Sequence, residues 1–266
     1  MEDANNLFSL VGKKVLITGA TGYLGREMVC ALAKAKAHVY INSRSYNRCM
    51  DVVNEFKSLG YSVEPAVFDV TDKASIETFC SKANFKVLDG IIHNAYNGIG
   101  GTVETSCAAD YIDSYNVSVV AAHNILNAFL PQLREAAKKS GGASFVNIAS
   151  MYGLVSPDNR IYETPETTNP PFYGAAKAAI VQWSRYVACE FGIEGIRCNS
   201  ITPGPFPSTN VIESNPEFVK NLAKKVPLGR VGKPAEISGA VIFLLSNASS
   251  YVNGSNLVVD GGWTAW

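Results

Sequence analysis

Apolar residues recur in two alternating rhythms along this chain. Short, nearly continuous apolar runs rich in Val and Ile fall at 14–18, 38–42, 63–68, 90–94, 144–148, 196–201 and 256–259, each of strand length. Between them lie longer stretches with apolar positions three or four apart, at 23–36, 46–59, 72–82, 106–138, 172–191 and 234–245, as amphipathic helices require. Strands without a polar face are buried on both sides. The alternation therefore predicts an α/β fold, a seven-stranded parallel sheet with helices on both faces. Thr71 stands where it can cap the third helix, Pro131 where it would bend the fourth, and Pro234 at a tolerated first-turn position. No repeat, low-complexity tract or linker interrupts the pattern, so a single domain over 1–266 is expected. Two irregular stretches stand out, 151–170 and 203–215; loops of that length in compact α/β domains usually carry function.

Composition narrows the function classes. The chain has 266 residues, 47% hydrophobic and 17% charged, enough to bury a large core and ordinary for a soluble enzyme. Lys plus Arg equals Asp plus Glu at 23 each, and no basic stripe offers a nucleic-acid surface. The start, Met1-Glu2-Asp3-Ala4-Asn5-Asn6, is acidic and polar and does not read as a signal peptide. No apolar run approaches bilayer length, and the ending 262–266 is no lipidation or retention signal. Six cysteines without a Cys-x-x-Cys pair and three scattered histidines predict free thiols in a reducing cytoplasm and no metal site.

Three local features carry chemistry. The first strand runs into Thr18-Gly19-Ala20-Thr21-Gly22-Tyr23-Leu24-Gly25 and then a helix, which aims backbone N–H groups and a helix dipole at a pyrophosphate. The second strand ends in Asn42-Ser43-Arg44-Ser45. It holds no carboxylate for a ribose 2′-hydroxyl, while Arg44 and Ser43 suit a 2′-phosphate, so NADP(H) is favoured over NAD(H). Tyr173 and Lys177, four apart on a helix, place a phenol and an ammonium on one face. A tyrosine that exchanges protons near neutrality needs its pKa moved by roughly three units, or about 4 kcal/mol, and a nearby cation supplies part of that.

Together with Asp69-Val70, Asn94-Ala95, Asn116, Ser150, Pro203-Gly204 and a tail ending Val259-Asp260-Gly261-Gly262, these motifs resemble the short-chain dehydrogenase/reductase family, in its compact branch. The resemblance runs from about residue 10 to 262 and implies a Rossmann fold and an NAD(P)(H)-dependent oxidoreductase acting between a carbonyl and a secondary alcohol. It implies Tyr173 as general acid/base, Lys177 lowering its pKa and holding the nicotinamide ribose, Ser150 orienting the substrate oxygen, and Asn116 holding a water of a proton relay. It implies cofactor contacts from Gly19, Thr21, Gly22, Tyr23, Leu24, Gly25, Ser43, Arg44, Asp69, Val70, Asn94, Ala95, Tyr96, Tyr173, Lys177, Pro203, Gly204, Phe206 and Thr209. It also implies a homo-oligomer, tetramer or dimer.

Three departures from the family pattern mark this chain. The glycine spacing Gly19-x-x-Gly22-x-x-Gly25 is commoner in the longer, epimerase-like branch, the compact branch having a glycine where Tyr23 stands. His93-Asn94-Ala95-Tyr96 replaces Asn-Asn-Ala-Gly, so Tyr96 puts a ring where backbone suffices in relatives. Ser150 and Tyr173 are separated by 22 residues, more than the family norm. The wording of that insertion, Ser150-Met151-Tyr152-Gly153 to Asn169-Pro170-Pro171-Phe172-Tyr173, resembles reductases of bacterial surface-sugar and flagellin-glycan pathways. Pocket walls are expected from 96–103, 151–170 and 206–218, whose Tyr152, Arg160, Tyr162 and Glu163 suit a polar hydroxylated small molecule. Two other functions stay open: a sugar-nucleotide epimerase or dehydratase with tightly held NAD, favoured by the glycine spacing, and a non-catalytic dinucleotide sensor.

Overall fold

The computed structural model describes residues 4–96 and 98–266. Part of the acidic start (1–3), and Asn97 within the expected pocket wall, lie outside the described residues. Seven parallel strands, β1 (Lys14–Ile17), β2 (His38–Ser43), β3 (Val63–Val67), β4 (Gly90–His93), β5 (Ala143–Ile148), β6 (Ile196–Pro203) and β7 (Asn256–Val259), form one sheet in the order β3-β2-β1-β4-β5-β6-β7. After a single N-terminal turn α1 (Ala4–Leu7), the helices are α2 (Tyr23–Lys34), α3 (Tyr46–Ser58), α4 (Lys73–Lys82), α5 (Ala108–Tyr115), α6 (Ala121–Ser140), α7 (Pro171–Phe191), α8 (Thr209–Ser214), α9 (Pro216–Lys224) and α10 (Ser238–Leu245). This is the α/β Rossmann-like arrangement that the hydrophobic rhythm predicts.

The two faces of the sheet bury separate cores. On one, Met28, Val29 and Leu32 of α2, Val52, Val53 and Phe56 of α3, and Val241 and Leu244 of α10 cover Val15, Ile17, Val39 and Ile41. On the other, Ile76 of α4, Ile125, Phe129 and Leu133 of α6 and Ile180 of α7 cover Leu16, Ile91 and Phe145. Because both faces are covered, the polar side chains inside β5 and β6, Ser144, Asn147, Asn199, Ser200 and Thr202, are buried, and hydrogen bonds such as Ser144 Oγ to Leu244 O and Asn199 Nδ2 to Val252 O satisfy them. The order in which strands are added reverses between β1 and β4, and that switch point opens the crevice in which such sheets bind ligands.

Several boundaries differ from the sequence-based expectation. The stretch 106–138 is not one helix bent at Pro131. The irregularity is a π-helical segment at Asn116–Val120 between α5 and α6, and α6 continues through Pro131. Asp72, not Thr71, caps α4, its carboxylate accepting from Ala74 N; Thr71 is instead held by the Asp69 carboxylate. The stretch 203–215 is only partly irregular, since Ser208 caps the short α8. The insertion 151–170 is organised as three 3-10 turns at Met151–Gly153, Asn159–Ile161 and Pro165–Thr167. Among the described residues, no helix is long and apolar enough to cross a membrane.

Candidate active site

At the C-terminal edge of the sheet, the chain turns sharply from β1 into α2. Gly19 has φ +60, which favours glycine, and a Cβ there would stand 2.8 Å from Ala95 Cα. Gly22 caps α2 with extended backbone and no side-chain hydrogen bond, so the first N–H groups of α2 have no side-chain cap. An added Cβ at Gly25 would collide with Gly19 O, so that glycine lets helix and turn touch. Bare backbone, uncapped N–H groups and a helix N-terminus at the switch point fit a pyrophosphate. Tyr23, where the compact branch has glycine, is simply the first residue of α2. At the end of β2, buried Asn42 donates through Nδ2 to Ala66 O and Phe68 O (2.9 and 3.0 Å), and its Oδ1 accepts from Gly19 N at 3.4 Å. It ties the glycine turn to β2 and β3. Beyond it, Ser43 is buried and Arg44 is exposed; the Arg44 charge helps hold the Asp69 carboxyl below its usual pKa, together with hydrogen bonds from Thr71 and against burial. The Val70 side chain points into the core, leaving its backbone for any adenine contact.

His93 connects this turn to the π segment. Its Nε2 faces Val117 O and Ser118 O, both at 3.1 Å, so that nitrogen carries the proton. Its Nδ1 then accepts from Thr18 Oγ1 at 3.2 Å. Thr18 Oγ1 in turn accepts from Asn94 N and Ala95 N. Burial, and secondarily the Lys177 charge, push the His93 pKa down to about 4. The π turn widens the helix so that Ala121 N reaches back to Asn116 O, which leaves carbonyls for His93 and sets where Asn116 projects.

Tyr173 and Lys177 lie on α7 as predicted, with Ser150 just past β5. Lys177 is buried and donates through Nζ to Ile148 O at 2.7 Å. Desolvation lowers its pKa to about 8. Burial raises the Tyr173 phenol, and the nearby Ser150 hydroxyl opposes this. In this arrangement the ammonium is directed at the Ile148 carbonyl and stands 5.6 Å from the Tyr173 ring centroid. Ser150 Oγ also accepts from Tyr152 N at 3.2 Å, which fixes the start of the insertion. Tyr96 reaches into this group. Its ring meets Tyr173 edge-on at 4.7 Å and lies 5.3 Å from Lys177 Nζ.

Opposite the catalytic pair, the insertion and α9 build a wall. Met151, Tyr152, Leu222, Val226 and Trp263 form a third apolar cluster against which Tyr173, Ile161 and Phe218 pack. Tyr152 and Tyr162 hydroxyls meet at 2.9 Å, and the Tyr162 ring packs against Phe218 at 5.4 Å with an interplanar angle of 45°. Asp158 pairs with Lys225 at 2.5 Å and with Arg160 at 2.8 Å, while Glu163 accepts from Asn215 Nδ2 at 3.1 Å. The insertion also grips the loop after β4, through Gly101 N to Thr168 O at 3.0 Å. Pro203 and Gly204 end β6 beside β7, with Gly204 N bonded to Val259 O. Phe206 lies next to Gly232, and Thr209 opens α8 on the surface.

Most residues expected at the site thus lie along one sheet edge, with Arg44 and Thr209 at its exposed rims; Asn116, half-buried in the π segment, lines the groove between α5 and α7. Sequence reasoning missed Asn42, the bridging role of His93, and the contribution of Leu222, Val226 and Trp263. A polar residue ending an otherwise apolar strand was the available signal for the first two.

A family model described as enoyl-(acyl carrier protein) reductase matches residues 19–264. A tropinone reductase homolog from Arabidopsis thaliana is 33% identical over 270 residues, covering 98% of this chain and 96% of the relative. Among solved structures, a gluconate 5-dehydrogenase from Burkholderia cenocepacia in complex with NADP and tartrate superposes with TM-score 0.87 at 27% identity, covering 99% of this chain and all of that one. The Pseudomonas aeruginosa RhlG/NADP active-site complex gives TM-score 0.88 at 27% identity, covering 97% and 99%.

Proposed function

The chain belongs to the short-chain dehydrogenase/reductase family, and from that premise we propose that it is an NADP(H)-dependent oxidoreductase acting between a carbonyl and a secondary alcohol of a polar, hydroxylated, sugar-like small molecule. The observation that carries this reading is the meeting of Ser150, Tyr173 and buried Lys177 at the end of β5, across from the glycine turn at the switch point.

Bound with its pyrophosphate at the glycine turn and α2, the nicotinamide cofactor supplies the hydride donor or acceptor. Asn94 and Ala95 lie beside that turn, and Ser43 and Arg44 receive a 2′-phosphate. Ser150 Oγ orients the substrate oxygen. Tyr173 Oη gives that oxygen a proton in reduction and takes it back in oxidation. Burial keeps the Tyr173 phenol protonated, which suits the donor role. Lys177 stabilises the phenolate as it forms, and Asn116, presented by the π turn, holds the water through which the proton is replaced. The wall of Tyr152, Tyr162, Phe218 and Trp263 offers aromatic faces and hydroxyls to a polyol. Of the similar proteins, the gluconate 5-dehydrogenase has a name that fits that class, and the tropinone reductase homolog has one that fits carbonyl reduction.

Turnover with gluconate, L-sorbose, tropinone and simple ketones, followed by nicotinamide absorbance with NADP(H) and NAD(H) separately, tests the reading. Tyr173→Phe is expected to lower kcat by about 10²–10⁴ while NADPH still binds; unchanged turnover sinks the assignment. Arg44→Ala should weaken NADP binding by about tenfold or more, as loss of a charged hydrogen bond predicts, and leave NAD binding unaltered.

The protein also acts as a homo-oligomer in the reducing cytoplasm. All six cysteines are free. Tyr111, Ile112, Tyr115 and Val120 are exposed and line a groove of about 580 Å³ with Phe172 and Ala179, an apolar surface of the kind that marks subunit contacts. Ile112→Asp is expected to shift sedimentation from oligomer to monomer.

A further inference from the structure

Tyr96 stands outside the proton-transfer scheme above, yet it touches both members of the catalytic pair. It follows β4 on a loop with glycine at 98, 100 and 101, so the backbone imposes no ring there. Its ring centroid is 5.3 Å from Lys177 Nζ and 4.7 Å from the Tyr173 ring, at an interplanar angle of 68°. The first distance is within cation–π range, and the second is an edge-to-face contact. The Tyr96 hydroxyl is buried without a hydrogen-bond partner among the described residues; Ser114 lies close enough to act on it.

Around the Lys177 ammonium stand Tyr173 on its own helix, Tyr96 from the β4 loop, neutral His93 on β4 and the Ile148 carbonyl on β5. No carboxylate pairs with it among the described residues. Buried without a counter-ion, the ammonium has three stabilising neighbours, the Ile148 carbonyl and the rings of Tyr96 and Tyr173, of which the Tyr96 ring is the nearer.

We propose that Tyr96 is a positioning residue of the catalytic pair, its ring capping the Lys177 ammonium and bracing Tyr173 so that positive charge stays beside the phenol. This rests on the reading of Tyr173 and Lys177 as the proton-exchanging pair. The sign follows. The ring favours the charged lysine, which already tends to lose its proton through burial, and charged lysine favours the phenolate. Removing the ring lets Lys177 lose its proton at lower pH, so the charge beside the phenol is held over a narrower pH range.

The test is a ¹³C NMR titration of lysine Cε with NADP⁺ present and absent, in which the signal missing from Lys177→Met isolates Lys177 among the lysines. In Tyr96→Leu the Lys177 midpoint is expected to fall by about one pH unit, a tenfold change in the ionisation constant. Tyr96→Phe should titrate with the wild type. NADPH fluorescence and thermal melting verify folding; should Tyr96→Leu not fold, Tyr96→Met takes its place. A Leu or Met variant with the wild-type midpoint overturns the proposal. So does a Phe variant that shifts as far as Leu, because the hydroxyl would then carry the effect. The titration needs no substrate, so its outcome is separate from the Tyr173→Phe turnover test on which the assigned activity depends.

Discussion

His93 shows how one buried side chain can join two functional parts. Neutral, it donates to the π turn and accepts from Thr18; doubly protonated, it would lose the Thr18 bond and place a second charge near Lys177. Its folded pKa of about 4 lies below the ordinary 6.5, so between those values the unfolded chain binds the proton and the folded chain does not. Stability is therefore full above pH 6.5 and falls as pH drops toward 4, by about 3 kcal/mol for a shift of this size. Urea denaturation of wild type and His93→Asn across that window should show a shallower loss in the variant. Equal slopes would mean that His93 does not carry the linkage. At this scale the sequence was legible where family motifs name a residue: Ser150, Tyr173 and Lys177 come together as spacing and motif order imply. His93 and Tyr96 were visible only as departures from a motif. Their partners lie on α5, the π turn and α7, and no local rule pairs residues across such distances.

The catalytic helix α7 and the turn after Ser150 meet backbone to backbone. A Cβ added to Gly174 would stand 2.6 Å from Tyr152 O, and one at Gly153 2.7 Å from Lys177 C. Gly→Ala inside a helix ordinarily gains about 0.5–1 kcal/mol. Here Gly174→Ala is expected to destabilise by about 1–3 kcal/mol through overpacking and to lower turnover by displacing Ser150 from Tyr173. Denaturant midpoints and kcat read both, and a stabilised, fully active variant would refute the contact. Strand and helix positions were legible because periods of two and 3.6 leave a clear trace. The π turn was not, since one extra residue in a long amphipathic helix barely disturbs its apolar stripe. Pro131 drew the expected bend to itself, but α6 carries that proline without a break.

At the scale of the molecule, the insertion ties the loop after β4 to α9, so the pocket has a wall rather than a loose lip. Asp158, only 16% exposed, joins it to Lys225. Asp158→Asn is expected to raise the rate of limited proteolysis within 151–170 several-fold while leaving NADPH binding intact; unchanged cleavage would show that the apolar cluster holds the wall alone. The insertion's length was readable in the sequence. Its fixed seat was not, because it depends on Phe218, Leu222 and Trp263, distant in the chain. The strand order β3-β2-β1-β4-β5-β6-β7 also has a temporal meaning. As the chain leaves the ribosome, β2 and β3 add outward from one side of β1, then β4 to β7 add outward from the other, and no strand has to wedge between two already joined. The sheet can accrete as it is made, which spares it the rearrangements that trap large parallel sheets. Its most recently synthesised edge, β7, completes the catalytic rim last, so a nascent chain holds its dinucleotide cradle before it can close the site that uses it.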